Sequence, residues 1–171
     1  MSMLIVLTVV SDDRPGIVDT LSGILTEHEG NWTESSMMSL AGKFAGILLA
    51  RVPRESGNAF ISAVQALESA GLHIIAQPTI PVPETSGVRE FSLDLVGQDR
   101  PGIISDITTI IARHSINVEE LDTECQSASM SGETLFLARA RLLAPADVSL
   151  DEFQQELEDL ANEMMVDITL E

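Results

Sequence analysis

Two short stretches of this chain have the residue types and spacing to do chemistry: Asp13-Arg14-Pro15-Gly16-Ile17 and Asp99-Arg100-Pro101-Gly102-Ile103. They are one phrase written twice, 86 positions apart, and each is followed at the same distance by an asparagine, Asn31 or Asn117. The chemistry they suggest is capture of a small zwitterion. Proline fixes φ and disfavours the helical region for the arginine before it, so a helix is expected to begin at about Pro15. Gly16 removes the side chain from the first turn, leaving unpaired backbone N–H groups at the positive end of a helix, a seat for a carboxylate. Asp13 could accept an ammonium group, and the amide of Asn31 can donate to a carboxylate or accept from an ammonium. A local reading stands beside this one: Asp13 caps the helix, Gly16 permits close packing and Asn31 ends a turn. Two copies with one spacing favour a shared role, although common ancestry also preserves a folding motif.

The elements that must position these residues follow from periodicity. Met3 to Val10 is a nearly continuous run of Val, Ile and Leu, as in a buried strand. Ile17, Val18, Leu21, Ile24 and Leu25 recur at helical spacing, and Gly30 suits the left-handed end of that helix. Asn31 to about Leu40 and Phe44 to Val52, joined by Ala41-Gly42-Lys43, read as a hairpin. A helix over Ser56 to Ala70, with Phe60, Val64 and Leu67 inward, ends at Gly71 before a strand from Leu72 to Ile80. The order β-α-β-β-α-β then returns: a strand over Arg89–Val96, a helix face of Ile103, Ile104, Ile107, Ile110 and Ile111, and a hairpin of Asn117–Ser127 with Thr134–Leu142. A helix over Ser149–Asn162, with Phe153, Leu157 and Leu160 inward, and a strand over Val166–Leu170 complete it. Pro81 to Gly87 forms a linker, which places a boundary between domains 1–84 and 85–171. Gly132 matches Gly42 with four extra residues inserted in the second hairpin loop. The expected fold class is α+β: two tandem ferredoxin-like units, each a four-stranded antiparallel sheet with two helices on one face, the bare sheet edges protected by pairing side by side.

Composition narrows the function. The chain is 44% hydrophobic and 21% charged over 171 residues, globular in character, and no apolar run reaches the ~18 residues of a membrane span. The first ten residues lack the pattern of a secretory signal, so a cytoplasmic location is expected. Net charge is −18, with 9 acidic against 4 basic side chains up to Glu84 and 18 against 5 from Thr85 onward. Phosphate backbones would repel such a body, which argues against direct nucleic-acid binding, while the acidic surplus could attract a basic protein partner.

Geometry sets one condition. Asn31 lies about 15 residues beyond Gly16, and a helix of that length spans ~22 Å, so the two ends of one helix cannot grip one small molecule. They could do so only across an interface where units pack with their helices antiparallel. The repeated Asp-x-Pro-Gly-Ile turn and following Asn resemble the ACT domain, a ferredoxin-like module that in many proteins binds amino acids at domain interfaces. Two tandem copies with no catalytic domain are similar to the glycine cleavage system transcriptional repressor family. That resemblance implies an amino-acid effector, glycine favoured, and action through a DNA-binding transcriptional activator partner, with a homo-oligomer as one possible assembly. It also implies ligand contacts from Asp13, Arg14, Pro15, Gly16, Ile17 and Asn31, and from Asp99, Arg100, Pro101, Gly102, Ile103 and Asn117. Serine-binding relatives often carry His two positions before the Asp, where this chain has Ser11 and Gly97.

The remaining residues favour no enzyme. His28, His73 and His114 have no neighbouring nucleophile pattern and read as surface or packing groups. The sequence has no Walker loop, no dinucleotide fingerprint and no metal-ligand spacing, so no cofactor, metal or catalytic residue is assigned. Cys125 reads as a reduced thiol packed in a strand. Glu119, Glu120, Glu156, Glu158, Asp159 and Glu163 read as solvated faces, and Trp32, Met37, Met38, Met164 and Met165 as packing groups. The alternative to an amino-acid sensor is a ligand-free interaction module with an acidic surface.

Overall fold

A computed structural model describes residues 1–81, 87–127 and 133–171, and the chain divides into two compact units, Met1–Pro83 and Glu84–Glu171. The expected boundary after Glu84, the linker around it and the Gly132 match to Gly42 lie outside the described residues. The first unit runs β1 (Ser2–Asp12), α1 (Ile17–Glu27), β2 (Asn31–Leu40), β3 (Lys43–Pro53), α2 (Gly57–Gln65) and β4 (Leu72–Thr79). The second runs β5 (Val88–Gln98), α3 (Ile103–Arg113), β6 (Asn117–Ser127), β7 (Thr134–Pro145), α4 (Leu150–Met164) and β8 (Val166–Leu170). Each unit forms its own antiparallel sheet, ordered β2-β3-β1-β4 and β6-β7-β5-β8. These are two tandem ferredoxin-like units, as the alternation of periods predicts.

Alternation along the strands creates the two cores. Ile5, Leu7 and Val9 on β1 face Ala50, Leu48 and Gly46 on β3, and the helices cover that side through Ile17, Leu21, Leu25, Phe60 and Val64. In the second unit Leu93 and Leu95 on β5 face Ala140 and Ala138 on β7, under Ile103, Ile107, Ile111, Phe153 and Leu157. Phe60 and Phe153 are fully enclosed. Burial of such a side chain contributes about 1.5–3 kcal/mol, so these two rings are principal anchors of their second helices. His28 and His114 pack edge-on to them at 5.8 and 5.3 Å between ring centres. His28 shares its Nδ1 with the Ile24 carbonyl, and His114 meets Glu156 through Nε2 at 3.2 Å. Both are packing groups, and Glu156 is tied to His114 and Arg113 where the sequence suggested a solvated face.

Several local expectations need correction. α1 begins at Ile17, two residues after Pro15, because Gly16 adopts a left-handed conformation at φ 91° and ψ 2°, which interrupts the right-handed helix. Val18 is exposed, whereas Ile17, Leu21 and Leu25 are buried in the core and Ile24 packs against it half-buried. The second helix of the first unit stops at Gln65 and tightens into a 3-10 segment over Ala66–Ala70. Gly71, left-handed at φ 80°, ends it as expected. At the end of α1 the left-handed residue is Glu29, and Gly30 serves another purpose. A Cβ on Gly30 would stand 2.3 Å from Leu25 Cδ1 and 2.8 Å from Val52 Cγ1, so this glycine makes room for core side chains. The second unit solves the same space differently, placing buried Ile116 and Ile111 at the matching positions. Cys125 is exposed, on an edge strand with little cover on either face.

β2 and β6 each carry one bulge at the same repeat position, between Trp32 and Glu34 and between Val118 and Glu120. A bulge shifts the side-chain register by one, so Asn31 and Asn117, just before it, are set apart from the alternation of the strand that follows.

Candidate ligand-binding turns

The turn at the end of β1 is built by three constraints. Asp13 donates its N–H to the Gly42 carbonyl at 2.9 Å, which fastens the end of β1 to the β2–β3 hairpin loop. Arg14 donates from its guanidinium to the Ala70 carbonyl at 2.7 Å, linking the turn to the end of the 3-10 segment. Gly16 then reverses the backbone and serves as N-cap, its carbonyl accepting from the Thr20 N–H at 2.9 Å and from the Thr20 hydroxyl at 2.8 Å. No side chain of the turn caps the helix. The local reading of Asp13 as a cap therefore fails, because the left-handed glycine has taken the N-cap position. A Cβ built on Gly16 would meet nothing within 4 Å, so space lies open on that side of the N-cap residue.

The second turn repeats the backbone. Asp99 donates its N–H to the Thr134 carbonyl at 2.9 Å, and Gly102 is left-handed at φ 95° and ψ −9°, again without a side-chain cap. Its surroundings differ. Asp106 stands where the first unit has Thr20, and its Oδ2 comes within 3.7 Å of where a Cβ of Gly102 would be. Arg100 lines the depression between α3 and α4 with Asp106, Arg113 and Glu156.

The repeated residues separate into two groups. Asp13, Arg14, Pro15 and Gly16 are exposed together at one end of their sheet, as Asp99, Arg100, Pro101 and Gly102 are in theirs. Ile17 and Ile103 are buried in the cores, so they can offer a ligand only their backbone N–H. Asn31 and Asn117 are at the other end. Asn31 opposes Arg51, which opposes Leu4 at the start of β1, eight residues back from Asp12. It lines an open depression with Glu29, Arg51 and Glu55. Asn117 donates its amide to Glu119 Oε1 at 2.5 Å. The structure does not bring Asn31 to the Asp13 turn within one unit, because the eleven residues of α1 alone span ~16 Å.

The position two residues before each Asp is closed to ligand. Ser11 is buried and donates its hydroxyl to the Asp12 carbonyl at 3.1 Å. Gly97 is pressed against Val166, whose Cγ1 would lie 2.2 Å from any Cβ there.

A residue that sequence reasoning missed is Asp12. Its carboxylate pairs with Lys43 across β1 and β3. The hydrogen bond from the Lys43 ammonium, followed by the charge of that group, holds its pKa below the usual carboxylate value; Arg14 and His73 act in the same direction. The signal was available as the Lys closing the β2–β3 turn, but only the strand register places it opposite Asp12.

This geometry has counterparts. The ACT domain family matches residues 3–74 and again residues 91–138. The chain belongs to the ACT domain family. In this ACT protein the two matches correspond to the two units, and the glycine turns are repeated features of both. Among curated relatives it is 25% identical over 169 residues, 94% of this chain and 85% of the relative, to the glycine cleavage system transcriptional repressor of Escherichia coli strain K12. It is 29% identical over 77 residues, 45% of this chain and 80% of the relative, to a UPF0237 protein of Methanopyrus kandleri. Among solved structures, a protein of unknown role from Galdieria sulphuraria is 31% identical with a TM-score of 0.90, covering 100% of this chain and 98% of that one. A second, provisionally named a glycine cleavage system transcriptional repressor, is 18% identical with a TM-score of 0.71, covering 100% and 97%, and supports the fold alone. Among the described residues no group of three or more His, Cys, Asp and Glu could hold a metal ion, and no helix is long and apolar enough to cross a membrane.

Proposed function

We propose that this ACT protein is an amino-acid-responsive regulator, cytoplasmic, that controls transcription through a DNA-binding activator protein and does not bind DNA itself. The observation that carries the reading is the open glycine turn. A left-handed Gly16 leaves the first N–H groups of α1 without a side-chain cap, and space is open where a side chain on Gly16 would stand, an arrangement that suits a carboxylate. Asp13, beside it, supplies an acceptor for the ammonium group of the same zwitterion. Asn31 and Asn117 contribute only where a further unit of this fold brings such a strand end to a turn. Similarity to a protein named as a glycine cleavage system transcriptional repressor makes glycine the first effector to test, and the net charge of −18 favours a basic protein partner over phosphate. An effector alters the partner interaction only if it binds the partner-competent and partner-free states unequally.

Calorimetric titration with glycine, serine and other amino acids tests the site. The reading expects binding in the wild type and its loss in an Asp13→Ala, Asp99→Ala double variant. Wild-type heat in the double variant removes these turns from the site.

A second reading, a ligand-free interaction module, is favoured by the open face of the β5–β8 sheet. There Asp94, Glu90 and Glu120 surround Arg139 and Arg141, with bonds of 2.8 Å from Arg139 to Asp94 and 2.7 Å from Arg141 to Glu120. Salt-sensitive association with an activator protein, unchanged by any amino acid, would support that reading over the first.

A further inference from the structure

Each sheet has an outer face, turned away from its helices, and the two units write that face differently. On β1, Ile5, Leu7 and Val9 point into the core, so Leu4, Val6, Thr8 and Val10 point out. Strand register carries this face across the first sheet. Its middle row is Ser36, Ile47, Thr8 and Ile75, with Leu49 and Val6 in the row on one side and Met38, Ala45 and Val10 on the other. No residue of β1 or β3 in these three rows is charged, and Ile47, Met38 and Ile75 are 51%, 55% and 62% exposed. Charged groups stand on the edge strands or at the ends: Glu34, His73, Arg51 and the Lys43–Asp12 pair. The second unit has the same strand order with the opposite chemistry. Its middle row is Asp122, Arg139, Asp94 and Thr169, and the next row holds Glu120, Arg141 and Ser92. Arg139 pairs with Asp94 at 2.8 Å and Arg141 with Glu120 at 2.7 Å. An antiparallel sheet with one solvated face ordinarily alternates polar against core residues, as the second unit does. The fold therefore does not require the apolar rows of the first unit, and a contiguous apolar surface of this kind marks a contact site.

We propose that the outer face of the first unit docks a second copy of this chain, two first units stacking sheet on sheet. Chemistry, charge and area select that occupant. An identical face offers matching apolar rows, whereas a face like that of the second unit would lose the hydration of its ion pairs against isoleucine and gain no partner for them. The chain carries a net charge of −18, so two copies repel each other. Contact through the middle rows of the first sheet brings no carboxylate of β1 or β3 against another. Five rows from Leu4 to Asp12, on four strands, make a face roughly 27 Å by roughly 19 Å, about 500 Å² on each copy and about 1,000 Å² for the pair. That area is at the lower limit for a specific interface, so the dimer is reversible and dissociates at roughly micromolar concentrations. It requires no effector, and so stands apart from the amino-acid reading above.

Sedimentation velocity of the full chain decides it, from about 1 to about 200 µM, the range in which so small an interface forms and dissociates. A Thr8→Asp, Ile47→Arg double variant copies into the first unit the Asp94–Arg139 pair that the second already carries across the matching strands. Ile75→Gln changes one exposed side chain on the edge strand β4, and it decides the matter alone if thermal melts show that the double variant does not fold. Val96→Thr, on the outer face of the second unit, is the control. Expected are a monomer that passes into a dimer as concentration rises, and a dissociation constant raised about 10-fold or more by the double variant. Ile75→Gln should raise it too, and Val96→Thr should leave it unchanged. A chain that stays monomeric at every concentration overturns the proposal and leaves the face to a different protein. A dimer that survives both first-unit variants overturns it as well, and so does one that Val96→Thr weakens equally.

Discussion

Substituting Gly30 by Ala separates two roles that a glycine at a helix end can play. Gly30 is not left-handed, so an added methyl meets no backbone penalty and, acting on the unfolded chain alone, would stabilise by about 0.4–1 kcal/mol. The structure predicts the opposite. The new Cβ would stand 2.3 Å from Leu25 Cδ1 and 2.8 Å from Val52 Cγ1, whereas carbon atoms settle at about 3.5–4.0 Å, so Leu25 must retreat by more than about 1 Å. Leu25 and Val52 are both buried, and overpacking of this kind costs about 1–3 kcal/mol. The net expectation is a loss of about 1.5 kcal/mol, or roughly 6–12 °C in the melting of a unit of this size. Trp32 is the only tryptophan and packs against the core of the first unit, so its fluorescence in urea reports that unit directly. Leu25→Ala alone should cost about 2–5 kcal/mol by opening a cavity. Combined with Gly30→Ala it should cost less than the sum by at least about 1 kcal/mol, because the new methyl occupies part of the space, while Val52 still limits the fit. A Gly30→Ala cost below about 0.5 kcal/mol, or strict additivity of the pair, refutes the packing argument.

Other outcomes follow from the same structure. Gly16→Ala should destabilise by about 1–2 kcal/mol through left-handed backbone strain alone, since no neighbour lies within 4 Å, and Gly16→Asn by less; denaturant midpoints of the three proteins give the order. The Asp12 carboxyl should titrate below the ordinary Asp value by NMR and return toward it in Lys43→Met. Because its folded pKa is lowered, its contribution to stability is present above the unfolded pKa near ~3.9 and is lost as pH falls through the folded value. A titration identical in wild type and Lys43→Met removes the pair. Cys125, exposed on β6, should react with a thiol reagent such as DTNB without denaturant; reaction only after unfolding contradicts its placement.

The sequence alone determined the order of the elements, the inward faces of the strands and helices, the duplicated turn and the family it resembles. These were legible because hydrophobic period and Pro-Gly punctuation are local: Ile5, Leu7 and Val9 alternate, and Ile103, Ile107, Ile110 and Ile111 recur, before any neighbour is known. Tertiary structure alone decided what each repeated residue meets. It made Gly30 a space for Leu25 and Val52, started α1 at Ile17 after a left-handed Gly16, exposed Cys125, and set Lys43 opposite Asp12. It also placed Asp106 beside a turn whose twin has Thr20, and held Asn31 at the far end of the sheet from Asp13. Strand register and helix packing fix these relations between residues distant in sequence, and the same repeated phrase can therefore acquire two different surroundings.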